Sequence, residues 1–202
     1  MSHHIDHIYY INLDHRTDRR EEIENELARM GLTAERYPAC YVPSFGSVGC
    51  GKSHIAVLKD AIEKGYRNVL IFEDDFMFTV SKEELESNLE NLFALKEGFD
   101  VCMVSYNLNS GEPSKYDFLT KVNEAQTTAG FLVNGHYYTT LLEAFEHGTA
   151  ELEKTGRHWD YAVDQIWKPL QARDNWYCFT PRFGKQRDGY SDISECICSY
   201  DC

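Results

Sequence analysis

Val69-Leu70-Ile71-Phe72-Glu73-Asp74-Asp75 runs four apolar residues straight into three carboxylates. A short β-branched and aromatic run of this kind reads as a buried strand. Within a regular strand Glu73 and Asp75 would face one way and Asp74 the other. At a strand end all three can turn into one crevice, where open α/β sheets take their ligands. Unpaired charge beside an apolar core is costly, so the triplet calls for a partner. Mn2+ and Mg2+ are hard cations that want oxygen ligands, and carboxylates supply them with compensating charge. A solvated acidic turn is the plainer alternative.

Outward from this strand, strands and helices alternate. Ile8-Tyr9-Tyr10-Ile11 reads as a first buried strand that ends in the polar turn Asn12-Leu13-Asp14. Thr17 or Asp18 can cap the helix that follows, with Ile23, Leu27 and Met30 as its apolar stripe and Gly31 as its stop. Residues 35–45 contain two prolines and read as an irregular connection with room for a short strand. Residues 52–64 are helical, with Ile55, Leu58 and Ile62 on one face and Gly65 at the end. Ser81 caps a charged helix that buries Leu85, Leu89, Leu92 and Leu95. Val101-Cys102-Met103-Val104 is a third strand and Gly130-Phe131-Leu132-Val133 another, separated by an exposed loop over 107–126 with room for one strand. A helix near 138–147 follows, and 160–171 reads as a single helix with Val163, Ile166, Trp167 and Leu170 facing inward. This order predicts an α/β fold, a mostly parallel sheet with helices on both faces.

The chain of 202 residues suffices for one sizeable core. We expect one domain over 1–194 and a Cys-rich tail over 195–202, whose Cys196, Cys198 and Cys202 fall short of the four ligands of a structural zinc site. A net charge of -13 excludes nucleic acid as a partner but leaves room for a nucleotide whose phosphates share a divalent cation with the acids. No apolar run is long enough to span a bilayer, and the N-terminus lacks a basic stretch followed by an apolar one. With seven scattered or clustered cysteines expected as free thiols, these features predict a cytoplasmic protein.

Two further motifs bear on ligands. Gly46-Ser47-Val48-Gly49-Cys50-Gly51-Lys52-Ser53 matches the phosphate-binding loop G-x4-G-K-S, and a helix follows it. A loop of that type should come directly off a buried strand, however, and Tyr37-Pro38-Ala39-Cys40-Tyr41-Val42-Pro43 is a poor one. The second motif is Asn12-Leu13-Asp14-His15-Arg16-Thr17-Asp18-Arg19-Arg20, a polar turn placed to grip a nucleotide, with arginines to meet phosphate. Its alternative is a solvated helix start.

In order, I-N-L-D-x-R-x-D-R-R, G-C-G-K-S-H and L-I-F-E-D-D resemble glycosyltransferase family 25, which includes lipooligosaccharide and collagen hydroxylysine sugar transferases. Thr127-Thr128-Ala129-Gly130-Phe131-Leu132-Val133 and Asp164-Gln165 match its usual continuation. Gln186-Arg187-Asp188-Gly189-Tyr190-Ser191-Asp192-Ile193 resembles the end of compact members, including some from large viruses, for which the location would be a host cytoplasm. The resemblance implies an A-type glycosyltransferase fold, one Rossmann-like domain. It also implies Mn2+ or Mg2+, a uridine diphosphate hexose as donor, a glycan or hydroxylysine acceptor, and inversion. It implies Asp75 as metal ligand, with Asp74 and Glu73 at metal, ribose or sugar. Asn12, Leu13 and Arg16 would hold the nucleotide, Ser53 and His54 would lie near the donor, and Lys185 and Arg187 would screen the diphosphate. Asp164 is the expected base. No His-containing C-terminal metal ligand of the kind many such transferases use is found, which leaves the third metal contact open. Two other readings stand beside this one: a nucleotide kinase built on the Gly46 to Ser53 loop, and an inactive relative that binds a glycan or a protein.

Overall fold

The computed structural model describes residues 4–200, so the first residues of the N-terminal reading and Cys202 of the expected tail lie outside it. In chain order the elements are β1 (His7–Asn12), α1 (Thr17–Met30), β2 (Glu35–Pro38), α2 (Gly46–Lys64), β3 (Asn68–Glu73), β4 (Phe76–Phe78), α3 (Lys82–Phe93) and β5 (Val101–Met103). Then come β6 (Asn107–Pro113), β7 (Leu119–Gln126), β8 (Gly130–Asn134), α4 (Tyr138–Thr155), α5 (His158–Tyr161), α6 (Val163–Ile166) and α7 (Lys168–Arg173). The chain closes with β9 (Trp176–Phe179), β10 (Gly184–Gln186), β11 (Gly189–Ser191) and β12 (Cys196–Cys198).

Eight strands form one sheet in the order β2-β1-β3-β8-β5-β9-β7-β6. β1 pairs parallel with β2 and β3, and β5 with β9, while β8 lies antiparallel between β3 and β5. β7 pairs antiparallel with β9 and β6, so only β7 and β8 oppose the common direction. The α/β expectation holds. The exposed loop expected over 107–126 is a β6–β7 hairpin, invisible to pattern because every residue of β6 is exposed.

Strand alternation sorts the core into two layers. Ile8 and Tyr10 of β1 and Leu70 and Phe72 of β3 face α1 and α3, against Ile23, Leu27, Leu85 and Leu89. Tyr9, Ile11, Val69 and Ile71 face the other way, against Val57, Leu58, Leu141, Phe145 and Trp167. The same alternation carried past Phe72 aims Glu73 towards α2 and Asp74 towards α1.

Three further expectations shift. α2 starts at Gly46 rather than Lys52 and buries Val57, Leu58 and Ala61, leaving Ile62 exposed. Its face is set by close packing on α4: a Cβ on Gly51 would collide with the Thr149 side chain, and one on Gly49 would lie 2.5 Å from the Cys40 carbonyl oxygen. The single helix expected over 160–171 is three short ones, because Ala162 takes an extended ψ of 154° and Trp167 restarts the chain before Pro169. The residues expected as a tail fold back, Cys196–Cys198 pairing antiparallel with Gly189–Ser191.

Candidate active site

A cavity of about 610 Å³ opens at the carboxyl end of β3, a volume in the usual range of ligand sites. Glu73, Asp74 and Asp75 form its floor; Leu13, His54, Thr128 and Asp164 stand in its walls.

Glu73 is tied to the α2 side. His54 Nε2 lies 3.0 Å from Glu73 Oε1, the Thr128 hydroxyl donates to the same oxygen at 2.7 Å, and Cys50 Sγ approaches it at 3.7 Å. Burial pushes Glu73 upward, but the His54 and Thr128 hydrogen bonds outweigh it and hold Glu73 below the ordinary carboxylate range. Burial, with Glu73 beside it, pushes the Cys50 thiol well up. Cys50, His54 and Glu73 each bring one ligand atom within 4.8 Å of the others, a mixed set that suits a softer ion than manganese.

Asp74 is tied to the α1 side. Asn12 Nδ2 donates to Asp74 Oδ2 at 2.7 Å, and Arg36 holds Asn12 Oδ1 at 2.9 Å. Arg19 Nη1 spans the acids, 3.0 Å from Asp74 Oδ1 and 3.1 Å from Asp75 Oδ2. Burial raises Asp74, with Arg19 opposing. Asp75 is pushed up to about 7 by burial and by the charges of Glu73 and Asp74, again with Arg19 opposing. Gln186 reaches Asp75 Oδ2 at 3.4 Å, and the Arg187 N–H donates to the Asp75 carbonyl at 2.6 Å.

Arg19 is the main residue the sequence reading did not single out. The signal was present: Arg19 precedes Ile23 by one turn, so it extends the stripe 23, 27, 30 toward the strand end. Thr127, at the head of the Thr127 to Val133 segment, holds φ at 74°, a strained conformation for a β-branched residue, while its hydroxyl donates to Gln186 Oε1 at 3.0 Å.

Of the remaining expected residues, Leu13 and Ser53 line the cavity. Ser53 is committed to backbone, donating to the Gly49 carbonyl at 2.7 Å and accepting from Cys40 N–H at 2.8 Å. Arg16 turns to Asp18 and Asp192, and lines a smaller recess of about 150 Å³ with Arg19, Asp75 and Arg187. Lys185 lies outside both walls. Asp164, half-buried, accepts from Gln165 Nε2 at 3.3 Å and lies 3.5 Å from Thr127 N. Burial and nearby Glu73 push it up.

The phosphate-loop reading fails. Gly46 to Ser53 lies inside α2, where most backbone N–H groups serve the helix, and no buried strand leads into it. Lys52 pairs with Glu153 at 2.8 Å. Its glycines are there for helix packing.

The fold of this chain is similar to that of a solved glycosyltransferase involved in glycosylation of the major capsid of PBCV-1, TM-score 0.55 at 10% identity, with 93% of this chain and 95% of that one covered. The profile described as glycosyltransferase family 25 (LPS biosynthesis protein) matches residues 42–167, and the chain belongs to that family. Among relatives, a glycosyltransferase 25 family member of Drosophila pseudoobscura pseudoobscura is 29% identical over 101 residues, 37% of this chain. The human inactive glycosyltransferase 25 family member 3 is 25% identical over 167 residues, 69% of this chain. This chain spans 16% of the first relative's length and 27% of the second's. Among the described residues no helix is long and apolar enough to cross a membrane.

Proposed function

We propose that this chain moves a hexose, galactose or glucose, from a uridine diphosphate sugar to an acceptor hydroxyl on a glycan or hydroxylysine, with inversion. The observation that carries this reading is a single cavity walled by the Glu73-Asp74-Asp75 triplet on one side and by Asp164 on another. Donor chemistry and acceptor chemistry each have a carboxylate there.

Mn2+ or Mg2+ is the proposed cofactor, held by Asp75 with Asp74 beside it. The donor set fits, because Asp75 Oδ1 is buried without a hydrogen-bond partner and the triplet carries more negative charge than Arg19 offsets. When bound, the cation would stabilise the charge of the departing diphosphate.

The residues of the chain do the rest. Arg19 is a fixed positive charge between the acids, oriented further by the Tyr190 carbonyl at 2.8 Å. Asn12 locks Asp74, and His54 with Thr128 locks Glu73, so neither carboxylate must reorganise when ribose or sugar hydroxyls arrive. Leu13, in the cavity wall, and Arg16, in the adjoining recess, would hold the nucleotide, and Arg187 of the same recess, rather than Lys185, would screen the diphosphate. Asp164 takes the proton from the acceptor hydroxyl, and its raised affinity for protons suits a base.

A thermal-shift panel in manganese tests this. Stabilisation by uridine diphosphate and not by adenosine triphosphate is expected. The human relative named inactive lends weight to one alternative, a binding protein without turnover. Donor binding without transfer to any acceptor would favour that reading, and no response to uridine diphosphate would end the transferase reading.

A further inference from the structure

We propose that Trp159 is the stacking platform of an acceptor subsite for a neutral glycan at the mouth of the cavity. This rests on the glycosyl-transfer reading above and commits it to one of the two acceptor classes.

Among the described residues eight large apolar side chains are exposed, and five of them, Tyr41, Trp159, Tyr190, Ile193 and Tyr200, line this one cavity. Apolar groups scattered singly over a surface mean nothing, whereas a cluster around one opening marks a binding surface. Four of the five are aromatic. Trp159 is the extreme, 82% exposed, while Trp167 and Trp176 are fully buried.

The indole is not at the end of a loose segment. His158, its neighbour, lies with Nδ1 3.1 Å from the Ser47 hydroxyl and its ring edge-on to Phe45, so α5 is pinned to the start of α2. Arg157, at the N-terminus of α5, pairs with Asp160 within the same turn at 2.7 Å. α5 is therefore held in place while Trp159 stands out at the rim.

A pyranose presents an apolar C–H face and an edge of hydroxyls. An indole face takes the first, as a flat, weakly hydrated surface with a negative quadrupole. The second needs acceptors and amides, and Asp164 and Gln165 stand in the same wall five and six residues on. A sugar stacked on Trp159 thus offers a hydroxyl toward the proposed base. The net charge of -13 disfavours an anionic saccharide. A hydroxylysine ammonium would also meet an indole face, and several rings can cage one cation, but a cage needs its rings gathered round one point, and among the described residues no two of Tyr41, Trp159 and Tyr190 are in ring contact. A rim of Tyr41, Trp159 and Tyr190 suits a ligand with several apolar faces, an oligosaccharide.

Acrylamide quenching of tryptophan fluorescence tests this directly, because two of the three tryptophans are buried and the quenchable signal belongs to Trp159. With manganese and uridine diphosphate present, methyl galactoside, methyl glucoside, lactose, cellobiose and a hydroxylysine peptide are titrated in turn. At least one neutral saccharide should protect Trp159 and blue-shift its emission. Trp159→Phe should keep saccharide affinity within about threefold, measured calorimetrically, and Trp159→Ala should lose roughly tenfold. Uridine diphosphate affinity should hold in both. Protection by the peptide alone, by nothing, or unchanged saccharide affinity in Trp159→Ala would overturn the subsite. Loss of uridine diphosphate binding by the unmodified protein would instead overturn the transferase reading, so the two failures are distinguishable.

Discussion

Asp75 and Asp164 are both carboxylates lifted by burial, and substitution separates their roles. Asp75 takes up its proton at about pH 7 in the folded protein against 3.8 as the ordinary value. The folded state therefore holds a proton that the unfolded chain has released, and this contribution to stability is full below about pH 4 and lost as pH rises through 7. Asp75→Asn removes the penalty. Melts in chelator should place the variant above the parent at pH 8 by roughly 1–3 kcal/mol, since each tenfold change in proton affinity is worth about 1.4 kcal/mol. The gap should close towards pH 4. The same variant should lose at least about a hundredfold in turnover, the scale of a lost electrostatic stabiliser. Near-normal turnover in manganese would refute the metal assignment. Asp164→Asn is expected to lower turnover strongly while uridine diphosphate affinity, read by calorimetry, stays put, as for an interaction used only in the transition state. If affinity and turnover fall together, Asp164 binds donor instead; if neither moves, Asp164 is not the base, and Asp160, expected as its substitute one turn earlier, is excluded too, since it stands outside the cavity wall and pairs with Arg157. At this scale the acids were legible because they follow an apolar strand. Arg19 was not singled out, since Arg16, Arg19 and Arg20 look alike until the rotation of α1 against the sheet is known.

α2 shows how an element can imitate a motif. Gly49 and Gly51 admit the Cys40 backbone and Thr149 of α4, so a side chain there must push a helix or a strand-end segment aside. Gly51→Val should cost about 1–3 kcal/mol, the usual range for overpacking a core, measured by denaturant unfolding. Lys52→Ala, which removes only an exposed pair with Glu153, should leave uridine diphosphate affinity and turnover within about twofold. A collapse of both in Lys52→Ala would revive the phosphate loop. Before β5, the strands β1 and β3 and the helices α1, α2 and α3 were readable because apolar runs and helical stripes are local signals, whereas β2 was legible only as room for a short strand and β4, three residues long, not at all. β8 was seen as a strand, but its antiparallel insertion between β3 and β5 depends on partners far along the chain. The break at Ala162 was hidden by a stripe that continues through it: Val163 and Trp167 are buried, and Ile166 and Leu170 pack on the same cluster.

For the whole molecule, the β11–β12 hairpin is a cover over the site and no part of either core layer. It supplies Tyr190, Ile193 and Tyr200 to the cavity, Asp192 to Arg16, and the Tyr190 carbonyl to Arg19. Ending the chain after Asp188 should leave a cooperative melt within a few degrees of the parent, yet weaken uridine diphosphate by roughly tenfold, about 1.4 kcal/mol. A truncated protein that fails to fold would show the hairpin to be structural.

The place of β8 beside β3 has a further result for how the chain is made. β3 pairs on one side with β1, already synthesised, but on the other only with Gly130–Asn134. Thr128, which fixes Glu73, emerges just before β8, and Arg187, which closes on the Asp75 carbonyl, emerges close to the end of the described chain. On the ribosome the central strand must therefore wait with one edge open while about sixty further residues are translated, roughly 3–12 s at ordinary rates. A nascent chain paused in that interval displays an unpaired apolar edge next to three carboxylates, which is where a chaperone would find it.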